Sequence, residues 1–262
     1  DWRMDPMPIR NPLGEDTAVM RPTLVGSMCK TLSYNMNHAT EAASLYEMAA
    51  VFDHHNLTEE GLPTETQTLC LGAYGPNVDF FTVRGALEAI LRMCGITCEV
   101  EVGGDCYYHP GRKAVITIRG REQIAQLGEI HPDYAEQFDI SARVYVAEID
   151  LEALGSMQAA QPKVKALPKF PAVTRDLALV MAEEVGVGPV MDGIRKAAGR
   201  ELERVELFDI YRGAQLGEGK KSAAFNLMLR GKAQTLTEEE INRLTTKALK
   251  ISAEQFDAHI RA

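Results

Sequence analysis

Apolar residues recur at helical spacing in some stretches of the chain and alternate in others, and these two periods mark out its elements. In "RPTLVGSMCKTLSYNMN", Leu24, Met28 and Leu32 fall at four-residue steps, the stripe of an amphipathic helix. "SLYEMAAVF" and "TLCLGAYG" read as strands. "DFFTVRGALEAILRMCG" gathers Phe80, Val83, Leu87, Ile90, Leu91 and Cys94 on one helical face, with Gly95 as its C-terminal stop. "ITCEVEVG" alternates at Ile96, Cys98, Val100 and Val102, as a strand with one wet face should. Further strands are expected in "KAVITIRG", "IAQLGEI" and "ARVYVAEIDL", and Pro132 is placed to open a short helix in "HPDYAEQF". Strands without regular helical crossovers predict an α+β module with a largely antiparallel sheet.

The pattern lapses between Gly155 and Val173, where three prolines interrupt any periodicity. This places a linker at 161–167, between a first module at 1–160 and a second at 168–262. The second module reads more simply. "RDLALVMA" is a strand, and "GPVMDGIRKAAG" is a helix with Pro189 near its start and Gly199 at its end. "LERVELFDIYRG" and "SAAFNLMLRG" are strands, and Thr237 with Glu240 forms a capping box for the helix of "TLTEEEINRLTTKALKISAEQF". A short strand in "DAHIRA" completes βαββαβ, the ferredoxin-like arrangement.

Charge separates the same two modules. The chain of 262 residues carries a formal charge of −9. Residues 163–262 hold 17 Lys+Arg against 14 Asp+Glu, whereas 1–162 hold 11 against 23. The second module is therefore the better partner for a polyanion. The five cysteines, at 29, 70, 94, 98 and 106, have no repeating spacing, which argues against a disulfide framework and for a reducing cytoplasm. No apolar run approaches a membrane span. A chain that opens "DWRMDPMP", with neither an initiator methionine nor a signal-peptide pattern, is expected to be a piece of a longer protein.

One stretch, "YRGAQLGEGKKS" from Tyr211 to Ser222, imitates a phosphate-binding loop. The imitation fails on spacing, because Ala214 stands where the first glycine belongs and Lys221 where the Ser/Thr belongs. It fails again on context, because the next segment alternates like a strand and offers no helix N-terminus to an anion. The flanks carry more chemistry. Phe208 and Tyr211 precede the turn, and Arg212, Lys220 and Lys221 surround it. Aromatics beside cations on a sheet face can stack splayed RNA bases, although Phe208 could equally be core and the lysines a solvated turn. Elsewhere, His54 and His55 lie in a polar stretch with no third ligand at a recognised metal spacing, so a solvated turn and no metal site is expected. His109 and His131, each followed by Pro, are expected at turns with their rings bonded to backbone carbonyls. No catalytic assembly is expected in the chain.

Several segments together resemble the C-terminal part of bacterial phenylalanyl-tRNA synthetase β subunits. They are "NPLGEDTAVMRPTLVGSMCKTLSYNMN", "DFFTVRGALEAIL", "HPGRKAVI", "GEIHP", "FPAVTRDLALVM", "ELFDIYRGAQLGEGKKSAAFNLMLR" and "TLTEEEIN", in the family's order. The resemblance implies a class II synthetase-like but non-catalytic first module, which serves assembly with an α subunit into an (αβ)₂ heterotetramer. It implies a ferredoxin-fold anticodon-binding second module and a cytoplasmic ligase that charges phenylalanine tRNA, with ATP and magnesium used by the holoenzyme on the α subunit. No cofactor is expected in this chain. By the same resemblance, Ala178, Asp209, Tyr211 and Ser222 meet the anticodon loop. Tyr211 would stack a base, Ala178 would pack its other side, and Asp209 and Ser222 would bond base edges. Arg212, Lys220 and Lys221 would attract phosphate, with Arg175 as a further candidate. The alternative is a stand-alone RNA-binding or scaffold protein of the same architecture.

Overall fold

A computed structural model describes residues 5–118, 122–157 and 167–260. The chain divides into two compact units, Asp1–Lys163 and Val164–Ala262. Most of the expected linker, 161–167, lies outside the described residues. Among the described residues, no helix is long and apolar enough to cross a membrane.

The first unit is a six-stranded antiparallel sheet. Its strands are β1 (Ala43–Leu57), β2 (Pro63–Tyr74), β3 (Glu99–Glu101), β4 (Tyr108–Ile118), β5 (Glu122–Ile130) and β6 (Tyr145–Asp150), in the order β1-β2-β6-β5-β4-β3. Helix α1 (Val25–Asn37) covers one face. Its Met28, Cys29 and Leu32 pack with Cys70, Tyr108 and Val146, and Leu24 just before the helix joins them. The helix lies so close to β2 that a Cβ at Gly72 would meet the Met28 side chain at 2.5 Å. Helix α2 (Phe80–Met93) covers the other face through Val83, Leu87 and Leu91, which meet Leu69, Ile116, Leu127 and Ile149. Its start is fixed by a reciprocal cap in which the Asp79 side chain accepts from the Thr82 amide and Thr82 closes back on Asp79. The short α3 (Pro132–Glu136) starts at the expected proline.

Two expectations change here. "ITCEVEVG" keeps its alternation of exposure only as far as Glu101, since Val102 is 93% exposed. It forms only three strand residues, because it is an edge strand that, among the described residues, pairs with β4 alone and is bounded by Gly95 and Gly104 at positive φ. The segment after Asp150 is not strand: the Asp150 carboxylate accepts from the Glu152 and Ala153 amides and starts α4 (Leu151–Ser156).

The second unit has a four-stranded sheet made of β7 (Val173–Ala182), β8 (Leu202–Tyr211), β9 (Lys220–Leu229) and β10 (His259–Ile260), in the order β10-β7-β9-β8 with every pairing antiparallel. This is the predicted βαββαβ split, with α5 (Val187–Ala198) and α6 (Glu238–Phe256) as its helices. Gly199, at φ 68, ends α5, and the Thr237–Glu240 capping box starts α6. Leu177, Leu179 and Met181 of β7 and Ala223, Phe225 and Leu227 of β9 bury against Val190 and Ile194 of α5 and Ala248 of α6. The register puts the even-numbered positions of β7 and β9 on the other side of the sheet, where no such core cluster forms among the described residues.

Candidate nucleic-acid interface

Cross-strand partners share a face, so the register decides which predicted residues meet. Asp209 pairs with Ala224, and Ala224 pairs with Ala178. One step along, Tyr211 pairs with Ser222, Ser222 with Val180, and Val180 with His259. Ala178, Asp209, Tyr211 and Ser222 thus lie on two neighbouring rungs of the face away from the helices. Small side chains at Ala178, Ser222 and Ala224 keep the floor of this region low. Tyr211, 36% exposed, rises at its edge. The Tyr211 ring folds back over Gly213, where any Cβ would collide with the phenol, so the glycine admits this position of the ring. Ser222 is only 3% exposed, whereas Asp209 is exposed.

The cations divide. Lys220 is exposed and pairs with Ala182 on the same open face. Arg212 is also exposed, but its Nη2 and Nε lie 2.7 Å and 3.0 Å from the Glu183 carboxylate. This bidentate pair lowers the Glu183 pKa, first through the hydrogen bond from Arg212, and raises that of Arg212. Lys221 departs from the expected cluster. It pairs with Met181 on the helix-facing side, is 6% exposed, and donates from Nζ to the Glu183 carbonyl at 2.6 Å. The strand alternation carried this signal, since Lys221 has the parity of Phe225 and Leu227 and not of Ser222. Arg175 shares that parity and reaches Glu238 at 2.8 Å. Phe208 is neither core nor part of the two rungs: it is the extra residue of a bulge between Leu207 and Asp209 on the edge strand and is 59% exposed.

The stretch Tyr211–Ser222 contains a short 3-10 turn at Ala214–Leu216 and then runs directly into β9, so no helix follows it. Position 259 was not singled out in sequence, because a two-residue strand at the end of a helix leaves no periodic signal. His259 lies at the end of the Tyr211 rung, with its ring nitrogen Nε2 2.8 Å from Asp257 Oδ1.

The first unit carries a buried polar network instead of an open face. Glu148 accepts from the Leu24 amide at 2.7 Å and Thr23 Oγ1 at 2.6 Å through one carboxylate oxygen. The other oxygen lies 3.2 Å from both Tyr107 Oη and Gln126 Nε2. These bonds hold the start of α1 to β6. His131 stands at a turn as the N-cap of α3, whereas His109 lies within the irregular start of β4. Each ring accepts at Nδ1 from a backbone amide, Asp133 and Gly111 respectively, where a bond to a carbonyl was expected. All five cysteines are free thiols, and burial pushes the Cys29 thiol up to about 12.

A family model described as the ferredoxin-fold anticodon binding domain matches residues 168–261, which defines the class of the second unit. A model described as the phenylalanyl tRNA synthetase beta chain CLM domain matches residues 1–151. The chain is 37% identical over 255 residues to the phenylalanine–tRNA ligase beta subunit of Clostridium acetobutylicum, covering 97% of this chain. It is 38% identical over 261 residues to that of Clostridium tetani, and 35% identical over 265 residues to that of Bacillus subtilis. The chain belongs to the phenylalanyl-tRNA synthetase β-subunit family, and it spans 32% of the length of these relatives.

Proposed function

We propose that this chain works within a cytoplasmic phenylalanine–tRNA ligase, where its second unit binds the anticodon region of phenylalanine tRNA and its first unit serves assembly with an α subunit into an (αβ)₂ enzyme. The observation that carries the tRNA reading is the convergence of Ala178, Asp209, Tyr211 and Ser222 on two adjacent rungs of one open face. A splayed base would lie on the low floor made by Ala178, Ala224 and Ser222 and stack against the Tyr211 ring. Asp209 would accept from base N–H groups, and Ser222 would bond a base edge. Lys220 would meet backbone phosphate directly. Arg212 would do so by sharing or exchanging its Glu183 partner. ATP and magnesium would be used at the active site of the α subunit, with no catalytic group drawn from this chain.

The two-subunit enzyme bearing Tyr211→Ala tests this. Loss of one stacked base costs about 1–3 kcal/mol, or about 5- to 150-fold in affinity. The KM for tRNA should rise by that factor while phenylalanine-dependent pyrophosphate exchange stays unchanged. Unaltered tRNA binding would remove Tyr211 from the interface.

A further inference from the structure

The histidine pair of the first unit gains a third partner that sequence spacing did not reveal. In a regular strand, His54 and His55 would point to opposite faces. The β1–β2 register breaks between Asp53 and Leu57, however, and the Asp53 side chain accepts from the His55 amide at 2.9 Å. Within this irregular end of β1 the two rings come together, with centroids 4.2 Å apart and planes at 40°. Asp5, far away in sequence, places Oδ2 3.7 Å from His54 Nε2 and 3.5 Å from His55 Nε2. The potential ligand atoms of Asp5, His54 and His55 all lie within 4.8 Å of one another.

We propose that Asp5, His54 and His55 form a binding site for one divalent cation of the zinc class. Metal–nitrogen and metal–oxygen bonds of about 2.0–2.1 Å set the edges of a tetrahedron at about 3.4 Å, close to the two measured N···O separations. The third edge, between the two imidazoles, lies within 4.8 Å and closes by rotation of the rings. Two imidazoles with one carboxylate favour zinc, cobalt or nickel over magnesium or calcium, which take oxygen ligands. The side chains are 26%, 49% and 75% exposed at His54, His55 and Asp5, so the fourth corner falls to water. The role is structural. The ion clips the stretch around Asp5 to the end of β1, beside the Pro8–Val19 bridge that already holds this stretch to the chain leading into α1. The inference is independent of the tRNA reading.

Titration of the 262-residue chain with ZnCl₂ alone, followed by calorimetry and by the thermal midpoint, tests it. The expected result is saturable binding of one ion per chain with a rise in midpoint. Each of Asp5→Ala, His54→Ala and His55→Ala should weaken binding at least about tenfold. Circular dichroism of the metal-free variants checks that the fold is kept, and His55→Gln replaces the alanine variant if the strand end is disturbed. Cobalt substitution gives a second readout, a d–d spectrum without thiolate-to-metal charge transfer. No saturable zinc binding, binding untouched by all three substitutions, or a thiolate band pointing to a cysteine would each overturn the proposal.

Discussion

Both units build antiparallel sheets from the same alternation of apolar and polar positions, but they cover them differently. The first sheet is sandwiched: α1 closes one face over Cys70, Tyr108 and Val146, and α2 closes the other over Ile116, Leu127 and Ile149. Its polar residues near α1 are consequently drawn into the interior and must be satisfied there, as Glu148 is by the Thr23 hydroxyl, the Leu24 amide and the Gln126 side-chain amide. The second sheet has both helices on one side, and the other side retains Asp209, Tyr211, Ala178 and Lys220. A sheet with two cores is a scaffold; a sheet with one core has a face left for a ligand. The charge balance agrees, since the excess of acidic residues lies in the first unit.

The sharpest way to test this contrast uses two neighbours on β9. Phe225, fully buried, should cost about 3–5 kcal/mol when changed to Ala. Asn226, on the open face where it donates to Asp176 at 2.7 Å, should cost about 0.5 kcal/mol. Denaturation of the two variants gives the comparison, and equal losses would mean that the face is covered in solution. In the first unit, Glu148→Ala strands several buried donors and should cost about 3 kcal/mol. Hydrogen exchange should then show lost protection in α1 and β6 with the second unit unchanged.

A smaller effect is expected from raising the floor of the open face. Ala178→Leu should leave the thermal midpoint nearly unchanged while weakening tRNA binding to the two-subunit enzyme by about 1 kcal/mol or more. Normal binding by this variant would move the base elsewhere on the sheet. The smallest effect is a dependence on pH. Burial pushes the Glu129 carboxyl up, but the bidentate Arg112 bonds at 2.6 and 2.8 Å, the Arg112 charge, a bond with Tyr145 and the Arg143 charge together outweigh it and hold the pKa below its ordinary value. Its contribution is therefore present above the ordinary carboxylate range and lost as pH falls through that range toward the depressed value. The stability gap between the parent and Glu129→Gln should narrow on acidification, and a gap constant with pH would show that Arg112 does not stabilise the ionised form.

The elements were legible where local chemistry decides them. The stripes of α1 and α2, the capping box of α6, Gly199 after α5 and the βαββαβ order all follow from periodicity and caps, which act over a few residues. So did the failure of Tyr211–Ser222 as a phosphate loop, because a strand pattern follows it. Strand parity would also have turned Lys221 away from Ser222, a signal present in the sequence but outweighed by the basic pair itself.

Other features depended on residues far apart in the chain. Edge pairing shortened the Glu99–Glu101 strand, whereas the Asp150 cap that starts α4 spans only three residues and was a local signal that the strand reading passed over. The rung that joins Tyr211, Ser222, Val180 and His259 draws on four strands, and register between strands is set by the packing of a shared core. The meeting of Asp5 with His54 and His55 requires a bulge in β1 and a distant segment lying beside it. Sequence alone determined the class of most elements, the family and the residues able to stack or carry charge, because these properties are local or compositional. Tertiary structure alone decided which side chains share a face and which distant groups converge, because those relations exist only after the chain has packed.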